Sequence, residues 1–539
     1  MTLTRVLSGI AVAAALASLV HGQARSAPDW TTQGADAQRT SWMPVDPYVS
    51  IDSVSEFQLI WKLKVDNESR YGNALTAPVA LGNLMTFRGF KSLIFVGGSS
   101  NNVYAIDYDF GTMFWRTHHN YVAGPREYAG SPTCPGGMTA PLARATNLNP
   151  ATQLSYFGFA RPPRPAKGDV GEPGRGAPQL AEIAARQAAR AQTDKPTSGA
   201  PAPVQGAGAQ ARGTPAPVRT PSPRSGRGGT PPTFVFSVAA DGLLRGLIPD
   251  TGDLGLAPAR FLPPNATATG LIWANESVYA ATSNTCGSAP TAVFAMEYVN
   301  DQRPVTTWDS NGAPIVGLSL GFDGTVYAST GGGASGYANS VVALDGKTLK
   351  LKDWIRHDSA FTSTPVVFRE GERTHVAALS GSRMYLLDGA SLGGPDHRTP
   401  LFVTLDHAHV RFNDGGLATW RDTAGSRWIL TEASGAIAAF KMINTGGRPA
   451  LERAWTSRNM ASPRTPIIVN GVVFALAGGH IGAHAVLYAL DPADGTDLWN
   501  SGTSITSSAS AGLAAGTGQV YVVTHDNTVW AFGIPLAIK

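Results

Sequence analysis

The chain repeats a thirteen-residue pattern, and its clearest copy runs from Leu487 to Trp499 (LYALDPADGTDLW). A short β-favouring run is followed by turn residues at 491–495, where proline presets φ, aspartate bonds its own backbone and glycine accepts a positive φ. A second β-favouring run then ends in tryptophan. The pattern therefore predicts a hairpin whose last strand offers an indole ring for packing.

Copies of this pattern recur along the chain, and a recurrent period constrains the fold more than any single residue does. Each copy joins a short apolar strand to a turn and then to a large aromatic residue. The clear copies are Val103–Trp115 and Val341–Trp354, weaker copies end at Trp308, Phe402 and Trp455, and residues 529–532 form a half-copy with no outer strand after it.

A strand early in the sequence complements that half-copy. Residues 57–65 (FQLIWKLKV) alternate apolar and polar side chains and include Trp61, yet no hairpin precedes them. We therefore expect this strand to complete the last sheet, which closes a ring and removes its free edges. The aromatic landmarks predict an all-β fold, an eight-bladed β-propeller of four-stranded antiparallel blades. These landmarks are Trp61, Trp115, a degenerate position within 256–261, Trp308, Trp354, Phe402, Trp455 and Trp499.

The seventh blade shows the predicted layout in most detail. We expect strand A at Pro466–Val469, strand B at Val472–Ala477 and strand C at Ala485–Asp491, with strand D after Asp494-Gly495. Asn470-Gly471 between two apolar runs is a strong hairpin signal. Because strand direction alternates, the D–A and B–C loops share one face of the propeller, and the A–B and C–D loops share the other.

Residues 150–231 interrupt the second blade. They are rich in Pro, Ala, Gly, Arg and Gln, and such a stretch cannot bury enough apolar surface to offset its ordering entropy, so we expect it to be disordered. It carries eleven Lys and Arg against four Asp and Glu, which leaves an excess of three negative charges elsewhere although the whole chain has a net charge of +4. The charge therefore predicts no nucleic-acid partner.

The first 22 residues are typical of a secretory signal peptide. Arg5 supplies the positive region, residues 10–20 are an apolar run too short to span a bilayer, and Gly22 fits the small-residue rule for cleavage. No lipobox cysteine follows, and no later apolar segment is long enough to span a membrane. We therefore expect a periplasmic or secreted monomer in which residues 23–56 are a polar lead-in and residues 57–539 form the propeller.

The pattern [VL]-Tyr-Ala-[IL]-Asp-x-x-x-Gly-Thr-x-x-Trp resembles the pyrroloquinoline-quinone (PQQ) repeat of quinoprotein alcohol dehydrogenases, over most of residues 57–539 apart from the insert. The resemblance implies an eight-bladed propeller, with PQQ and Ca²⁺ as the cofactor. Non-enzymatic propellers of outer-membrane assembly share the pattern, so it specifies the fold better than the function. The residues that it implies for docking between blades are Trp61, Trp115, Trp308, Trp354, Phe402, Trp455 and Trp499.

Two departures from that family concern the cofactor. Its alcohol dehydrogenases usually carry adjacent cysteines in a vicinal disulfide over the quinone, whereas Cys134 and Cys286 lie far apart in this sequence. The family's Glu, Asn and Asp ligands to Ca²⁺ match no motif here. Neither cysteine lies in a Cys-x-x-Cys-His motif, so no covalent haem site is expected. The predicted loop positions bring the two cysteines side by side, and we expect a disulfide between them.

Eight of the ten histidines after the signal peptide are predicted to gather on the face of the D–A and B–C loops. His407 and His409 enter blade six, and His480 and His484 lie in the B–C loop of blade seven. Together with Asp414, they have the residue types that bind Zn²⁺, Cu²⁺ or Fe²⁺. The alternative is that they are solvated loop histidines that bond backbone carbonyls.

The same face offers residues for a planar cofactor. Arg411 and Asn413 lie in the loop that enters blade six, and Trp273 and Trp420 lie on inner strands. An indole in such a position either stacks on a planar ligand or packs between strands.

These observations leave three functions open. The first is a ligand- or partner-binding module that keeps a quinoprotein-like fold without an intact cofactor site. The second is a PQQ-dependent dehydrogenase of alcohols or sugars that passes electrons to a separate carrier. The third is a cell-envelope assembly scaffold that binds extended peptides along blade edges. The expected partner is accordingly a small molecule or an envelope protein.

Overall fold

The regular structure in the computed structural model is almost entirely β-strand. Within the described residues the exceptions are two single-turn 3₁₀ helices, Val54–Glu56 and Gly394–Asp396. No helix in these ranges is long and apolar enough to cross a lipid bilayer. The predicted signal peptide and the predicted insert lie outside the described residues. Those residues are 27–68, 75–121, 137–146, 148, 234–283, 289–405, 416–480, 482–509 and 511–535.

Within these ranges the strands form eight sheets, and each sheet is one blade of a propeller. β1 (Trp42–Met43) and β2 (Gln58–Lys64) precede the first blade. Each of the first seven blades is built on four antiparallel strands, A to D, which lie in the sheet in chain order. The prediction of an all-β, eight-bladed propeller is confirmed.

The strands follow one another in chain order around the ring. Blade one contains β3 (Val79–Thr86), β4 (Gly89–Gly97), β5 (Asn102–Asp107) and β6 (Met113–His118), and blade two contains β7 (Ala143–Arg144), β8 (Val235–Val238), β9 (Leu243–Leu247) and β10 (Ala259–Arg260). Blade three contains β11 (Ala268–Ala274), β12 (Ser277–Thr282), β13 (Ala292–Glu297) and β14 (Val305–Asp309), and blade four contains β15 (Ile315–Leu320), β16 (Val326–Thr330), β17 (Ser340–Leu344) and β18 (Leu351–Arg356). Blade five contains β19 (Val366–Glu370), β20 (Arg373–Ser380), β21 (Arg383–Asp388) and β22 (Phe402–Val403), and blade six contains β23 (Leu417–Arg421), β24 (Arg427–Ala433), β25 (Ala436–Thr445) and β26 (Arg448–Thr456). Blade seven contains β27 (Ile467–Val469), β28 (Val472–Ala477), β29 (Val486–Leu490) and β30 (Asp497–Asn500). Blade eight contains β31 (Ala514–Gly516), β32 (Gln519–Val523), β33 (Thr528–Gly533) and β2.

Blade seven shows how the local sequence sets these strands. Asn470 and Gly471 have φ values of 45° and 86°, and a two-residue hairpin turn that matches the strand twist needs a positive φ at both positions. Val469 pairs with Val472 across this turn. Strand B has its predicted bounds, whereas β27 and β29 are slightly shorter than predicted.

The early strand closes the ring. β2 is the outermost strand of blade eight and pairs with β33 in antiparallel register, with Trp61 opposite Ala531 and Gln58 opposite Gly533. The last sheet thus takes its outer strand from residues more than 450 positions earlier in the chain. The predicted closure is confirmed.

Three of the landmark tryptophans make the same contact with the next blade. Each indole Nε1 donates to a carbonyl in the C–D turn of that blade, over 2.7 to 2.9 Å. Each ring also covers a turn glycine with positive φ, and a Cβ built on that glycine would lie 2.4 to 2.6 Å from an indole atom. The close approach therefore depends on glycine. The three sets are Trp61 with Tyr108 and Gly111, Trp115 with Pro249 and Gly252, and Trp455 with Pro492 and Gly495.

The other landmark residues pack differently. Trp354 stacks on His397 in the C–D loop of the next blade, with ring centroids 3.7 Å apart. Trp499 packs against Phe57, with ring centroids 5.7 Å apart. Phe57 lies just before β2, at the position where the other blades have a C–D turn. The remaining two are half-buried and pack against cores shared by neighbouring blades. They are Trp308, between blades three and four, and Phe402, between blades five and six.

Residues 27–46 lie in the central channel, and we call them the channel segment. The inner strand of each blade has a free edge toward the channel, and buried backbone groups on such an edge need hydrogen-bond partners. The channel segment bonds to every blade in turn, over 2.7 to 3.3 Å, so the stretch predicted as a polar lead-in joins the whole ring. Its partners are Thr517 in blade eight, Ala80 in blade one, Arg144 in blade two, Leu271 in blade three, Leu320 in blade four, Val367 in blade five, Thr419 in blade six, Ile468 in blade seven and Gly518 back in blade eight.

Candidate functional site in the central channel

The central channel contains a cavity of about 490 Å³ on the side of the D–A and B–C loops. Most of its wall consists of residues in or just before the inner strands of blades three to eight, among them Gly270 and Gly512, and Glu432 lies near the end of strand B of blade six. The channel segment contributes Arg39 and Ser41. The segment also bonds to Leu320 at the end of β15 and to Gly518 in the A–B turn of blade eight, so it extends from the cavity to the level of the A–B turns.

Arg39 reaches the cavity from the channel segment and is only 6% exposed. Its Nε donates to the Leu318 carbonyl over 3.1 Å, and its Nη1 donates to Thr32 Oγ1 over 3.0 Å and to the Gln33 carbonyl. Its Nη2 is buried without a hydrogen-bond partner. Burial lowers the pKa of Arg39 to about 10, against the opposing charge of Asp36, so the guanidinium stays positive at neutral pH.

Arg464 reaches the cavity from the loop before β27. Its backbone N–H donates to the Leu476 carbonyl over 2.9 Å, and its Nη2 donates to the Ala509 carbonyl over 3.3 Å. Its Nε is buried without a partner. Burial lowers the pKa of Arg464, and the charge of Glu432, which also lines the cavity, opposes this effect. The Arg464 guanidinium therefore presents a desolvated donor to the cavity lining.

Thr362 contributes a third buried donor without a partner. Its backbone N–H donates to the Leu379 carbonyl over 2.9 Å, whereas its Oγ1 makes no hydrogen bond. Arg39, Arg464 and Thr362 all line the same cavity. Buried polar atoms without partners are rare in native proteins, so three of them on residues that line one cavity mark it as the candidate site.

The resemblance to quinoprotein dehydrogenases makes PQQ with Ca²⁺ the first occupant to test against this lining. Protein-bound Ca²⁺ takes six to eight oxygen ligands, usually including several carboxylates, and Glu432 is the only carboxylate among the described lining residues. These lining residues also include no aromatic side chain that would stack on a quinone. The described lining therefore does not fit the calcium–quinone pair. What it offers instead is a set of hydrogen-bond donors.

The two tryptophans predicted to stack on a planar ligand lie in cores between strands. Trp273 on β11 contacts Phe236 edge to face, with ring centroids 4.6 Å apart, and Tyr298 at 5.4 Å. Trp420 on β23 stacks on Trp428 at 5.4 Å. Both indoles are under 10% exposed, and the structure places neither of them in the cavity lining.

The other predicted ligand-binding residues fall mostly outside the described part of the chain. His480 and His484 are exposed in the B–C loop of blade seven. Over the described residues, no group of three or more His, Cys, Asp and Glu side chains lies close enough to hold a metal ion. The metal site and the planar-cofactor site stay predictions, because five of their residues are not described. These five are His407, His409, Arg411, Asn413 and Asp414.

The predicted disulfide also stays a prediction. Cys134 lies in the undescribed stretch 122–136, and Cys286 lies in the undescribed stretch 284–288. The structure therefore gives no test of their pairing.

Two of the histidines predicted on the loop face have structural contacts. His118 Nδ1 lies 2.8 Å from Asn102 Oδ1, and His119 Nε2 lies 3.3 Å from Ser237 Oγ. Burial and, to a lesser extent, the Arg245 charge lower the pKa of His119 to about 4. His119 is therefore neutral at physiological pH and belongs to the blade packing.

Sequence reasoning missed the three residues that mark the cavity. Arg464 and Thr362 lie three and four residues before β27 and β19, and that position was the available signal, because residues just before an inner strand line the channel mouth. Arg39 gives no such local signal. Its contact with Leu318 joins residues 279 positions apart.

Comparison with known proteins places the fold more firmly than the activity. No protein-family model matches the chain, and no curated protein matches it. The quinohemoprotein alcohol dehydrogenase from Comamonas testosteroni is similar in structure with a TM-score of 0.53 at 13% identity, over 96% of this chain and 82% of that one. A quinohemoprotein alcohol dehydrogenase from Pseudomonas putida HK5 is similar in structure with a TM-score of 0.55 at 11% identity, over 95% of this chain and 81% of that one.

A europium-containing methanol dehydrogenase is a third similar structure, with a TM-score of 0.54 at 10% identity, over 94% of this chain and 98% of that one. Identities this low show a shared fold alone. The chain therefore has the eight-bladed propeller fold that is also found in these dehydrogenases.

Proposed function

We propose that this chain is an exported binding module that holds a small polar molecule in the channel cavity. The observation that carries the proposal is the convergence of three unpartnered buried donors, on Arg39, Arg464 and Thr362, around one cavity. The volume of about 490 Å³ lies within the range of 300 to 1,000 Å³ that is usual for small-molecule sites.

The surroundings of the cavity also suit a binding site. Most wall residues belong to, or lie just before, an inner strand that is bonded to the channel segment or to its own blade. Side chains held on such strands lose little freedom when a ligand binds, and preorganisation of this kind favours affinity. The cavity thus combines a rigid wall with donors that a ligand can use.

One glycine of the wall allows the cavity to be filled without disturbing the backbone. A Cβ built on Gly512 meets no atom within 4 Å, and its φ is not in the positive range. A Gly512→Trp variant therefore fills the cavity while the propeller still folds. Gly336 is the matched control, because it also has open space around a built Cβ but lies exposed in the B–C loop of blade four, outside the lining.

The test is a thermal-shift screen of the wild type with small organic acids, sugars, alcohols, and PQQ with Ca²⁺. We expect at least one compound to raise Tm in the wild type and in Gly336→Trp, and to have no effect on Gly512→Trp. Equal shifts in all three proteins would place binding elsewhere. The absence of any shift would contradict the proposal, and quinone absorbance with dye reduction would identify the dehydrogenase alternative.

Export is part of this proposal and has its own test. The signal peptide predicted for residues 1–22 gives a mature chain that starts at Gln23. Amino-terminal sequencing of protein recovered from the periplasm or the medium should find that start. An uncleaved chain recovered from the cytoplasm would contradict export without affecting the cavity.

A further inference from the structure

We propose that the ligand of the channel cavity is a small organic carboxylate, an inference that rests on the proposed function. Two guanidinium groups of the lining, Arg39 and Arg464, each keep a buried N–H without a protein partner. A guanidinium presents its donors in a planar fork that matches the two oxygens of a carboxylate.

Among the described contacts, Arg39 makes no hydrogen bond to a carboxylate. Its hydrogen bonds go to neutral oxygens of Leu318, Thr32 and Gln33. Asp36 does not take the role, because its oxygens accept from the Thr40 N–H and Oγ1 over 3.0 and 2.6 Å. Asp36 acts on Arg39 only as a nearby charge that opposes the lowering of the Arg39 pKa by burial. A buried cation with neutral partners is poorly compensated, and an anion in the cavity supplies the missing charge.

Two glycines pack close to the same unpartnered nitrogens. A Cβ at Gly270 would lie 3.5 Å from Arg39 Nη2, and a Cβ at Gly478 would lie 2.8 Å from Arg464 Nε. A larger residue at either position would crowd the nitrogen that lacks a partner. The backbone therefore keeps both donors free of side-chain cover on that side.

The charge and size of the cavity narrow the class of ligand. Glu432 is the one carboxylate of the described lining and lies near enough to Arg464 to affect its pKa. Two guanidinium groups against one carboxylate favour an anion, and the low dielectric of a buried site strengthens that preference. A cavity of about 490 Å³ holds far more than a phosphate ion, so an organic acid of several carbons fits it better.

The test is isothermal titration of the full purified chain with succinate, inorganic phosphate and glucose at low ionic strength. We expect succinate to bind the wild type and to bind Arg464→Gln about 10- to 100-fold more weakly, as for loss of a hydrogen bond to a charged group. Arg458→Gln is the matched control, because Arg458 is exposed, pairs with Asp497 and lies outside the lining. It should bind succinate as the wild type does.

The outcomes separate this inference from the function on which it rests. Binding of glucose but not succinate, abolished by Gly512→Trp and unchanged by Arg464→Gln, would overturn the carboxylate and keep the binding module. Phosphate binding more tightly than succinate would also overturn the organic acid. Succinate binding that Gly512→Trp leaves intact would contradict both. If Arg464→Gln does not fold, Thr362→Val gives a second test, with an expected loss of about 3- to 10-fold.

Discussion

The outer junctions and the central channel join the same eight blades by different means. At the outer junctions a tryptophan such as Trp115 packs on a turn glycine of the next blade and donates to its turn carbonyl. In the channel one segment, used once, bonds to each blade in turn. The junctions repeat one kind of contact between consecutive blades, whereas the channel contacts all come from a single segment. A repeated motif thus holds the ring together, while the cavity combines Arg39 from a segment without a repeat with Arg464 and Thr362 from the loops before two inner strands.

The largest expected effect is at an outer junction. Trp115→Ala removes a buried indole and its bond to the Pro249 carbonyl, and we expect it to lower the free energy of unfolding by about 3 to 5 kcal/mol. Trp499→Ala is the control, because that ring is half-buried and makes no such bond among the described contacts; its cost should be about 1 to 2 kcal/mol. Urea unfolding measures both, and equal costs would break the distinction between the junctions.

The next largest loss of stability is expected when the turn glycine of an outer junction is replaced. Gly111→Ala places a Cβ 2.4 Å from the Trp61 ring in a backbone conformation with φ of 62°, and we expect a loss of about 2 to 4 kcal/mol from strain and overpacking. Gly446→Ala has nearly the same φ, 60°, but nothing within 4 Å of its Cβ, so it should lose only about 1 kcal/mol. Equal losses in the two variants would mean that the tryptophan contact is not tight.

A smaller effect is expected in the pH dependence of stability, which should differ between the channel segment and the outer turns. Burial raises the pKa of Asp36 in the channel segment, so this carboxyl stabilises the fold below about pH 3.8 and loses that contribution as pH rises through its folded pKa. Asp494 in an outer turn has its pKa lowered by hydrogen bonds from Thr496, so its contribution is present above about pH 3.8 and is lost as pH falls. Urea midpoints from pH 3 to pH 7 should therefore move in opposite directions, relative to the wild type, for Asp36→Asn and Asp494→Asn. Parallel curves for the two variants would contradict this difference.

The smallest effect concerns the junction that uses histidine in place of glycine. His397 has φ of 54° and stacks on Trp354 at 3.7 Å. His397→Gly loses the ring contact but relieves the backbone strain, so its net change should be under about 1 kcal/mol. His397→Ala loses the ring and keeps the strain, and it should be about 1 kcal/mol less stable than the glycine variant. If the alanine variant is the more stable one, the backbone at this position is not strained.

The parts of the molecule that could be predicted from sequence are those whose contacts follow a local pattern. Asn470-Gly471 specifies its own hairpin, and the turn glycine at Gly495 stands at a fixed distance from Trp499, so the period and the number of blades could be deduced. The pairing of the early strand 57–65 with the last blade could be predicted because each stretch lacked what the other had.

The cavity could not be predicted in the same way. The bonds of Arg39 and the other channel residues go to single backbone groups on distant strands, and no periodicity marks them. Histidines are recognisable as candidate ligands from their residue type alone. The cavity donors belong to two arginines and a threonine, and they matter because each has a buried polar atom without a hydrogen-bond partner. That property depends on packing and cannot be read from residue types.

The contacts of the channel segment with blade eight join residues that are synthesised at very different times. Ala27 bonds to Thr517 and Asp46 bonds to Gly518, which join residues 490 and 472 positions apart. The amino-terminal residues therefore leave the ribosome first and find their partners last, after blade eight has been made. Contacts of such sequence separation form slowly, so maturation of this chain should end with the insertion of its own beginning into a nearly finished ring.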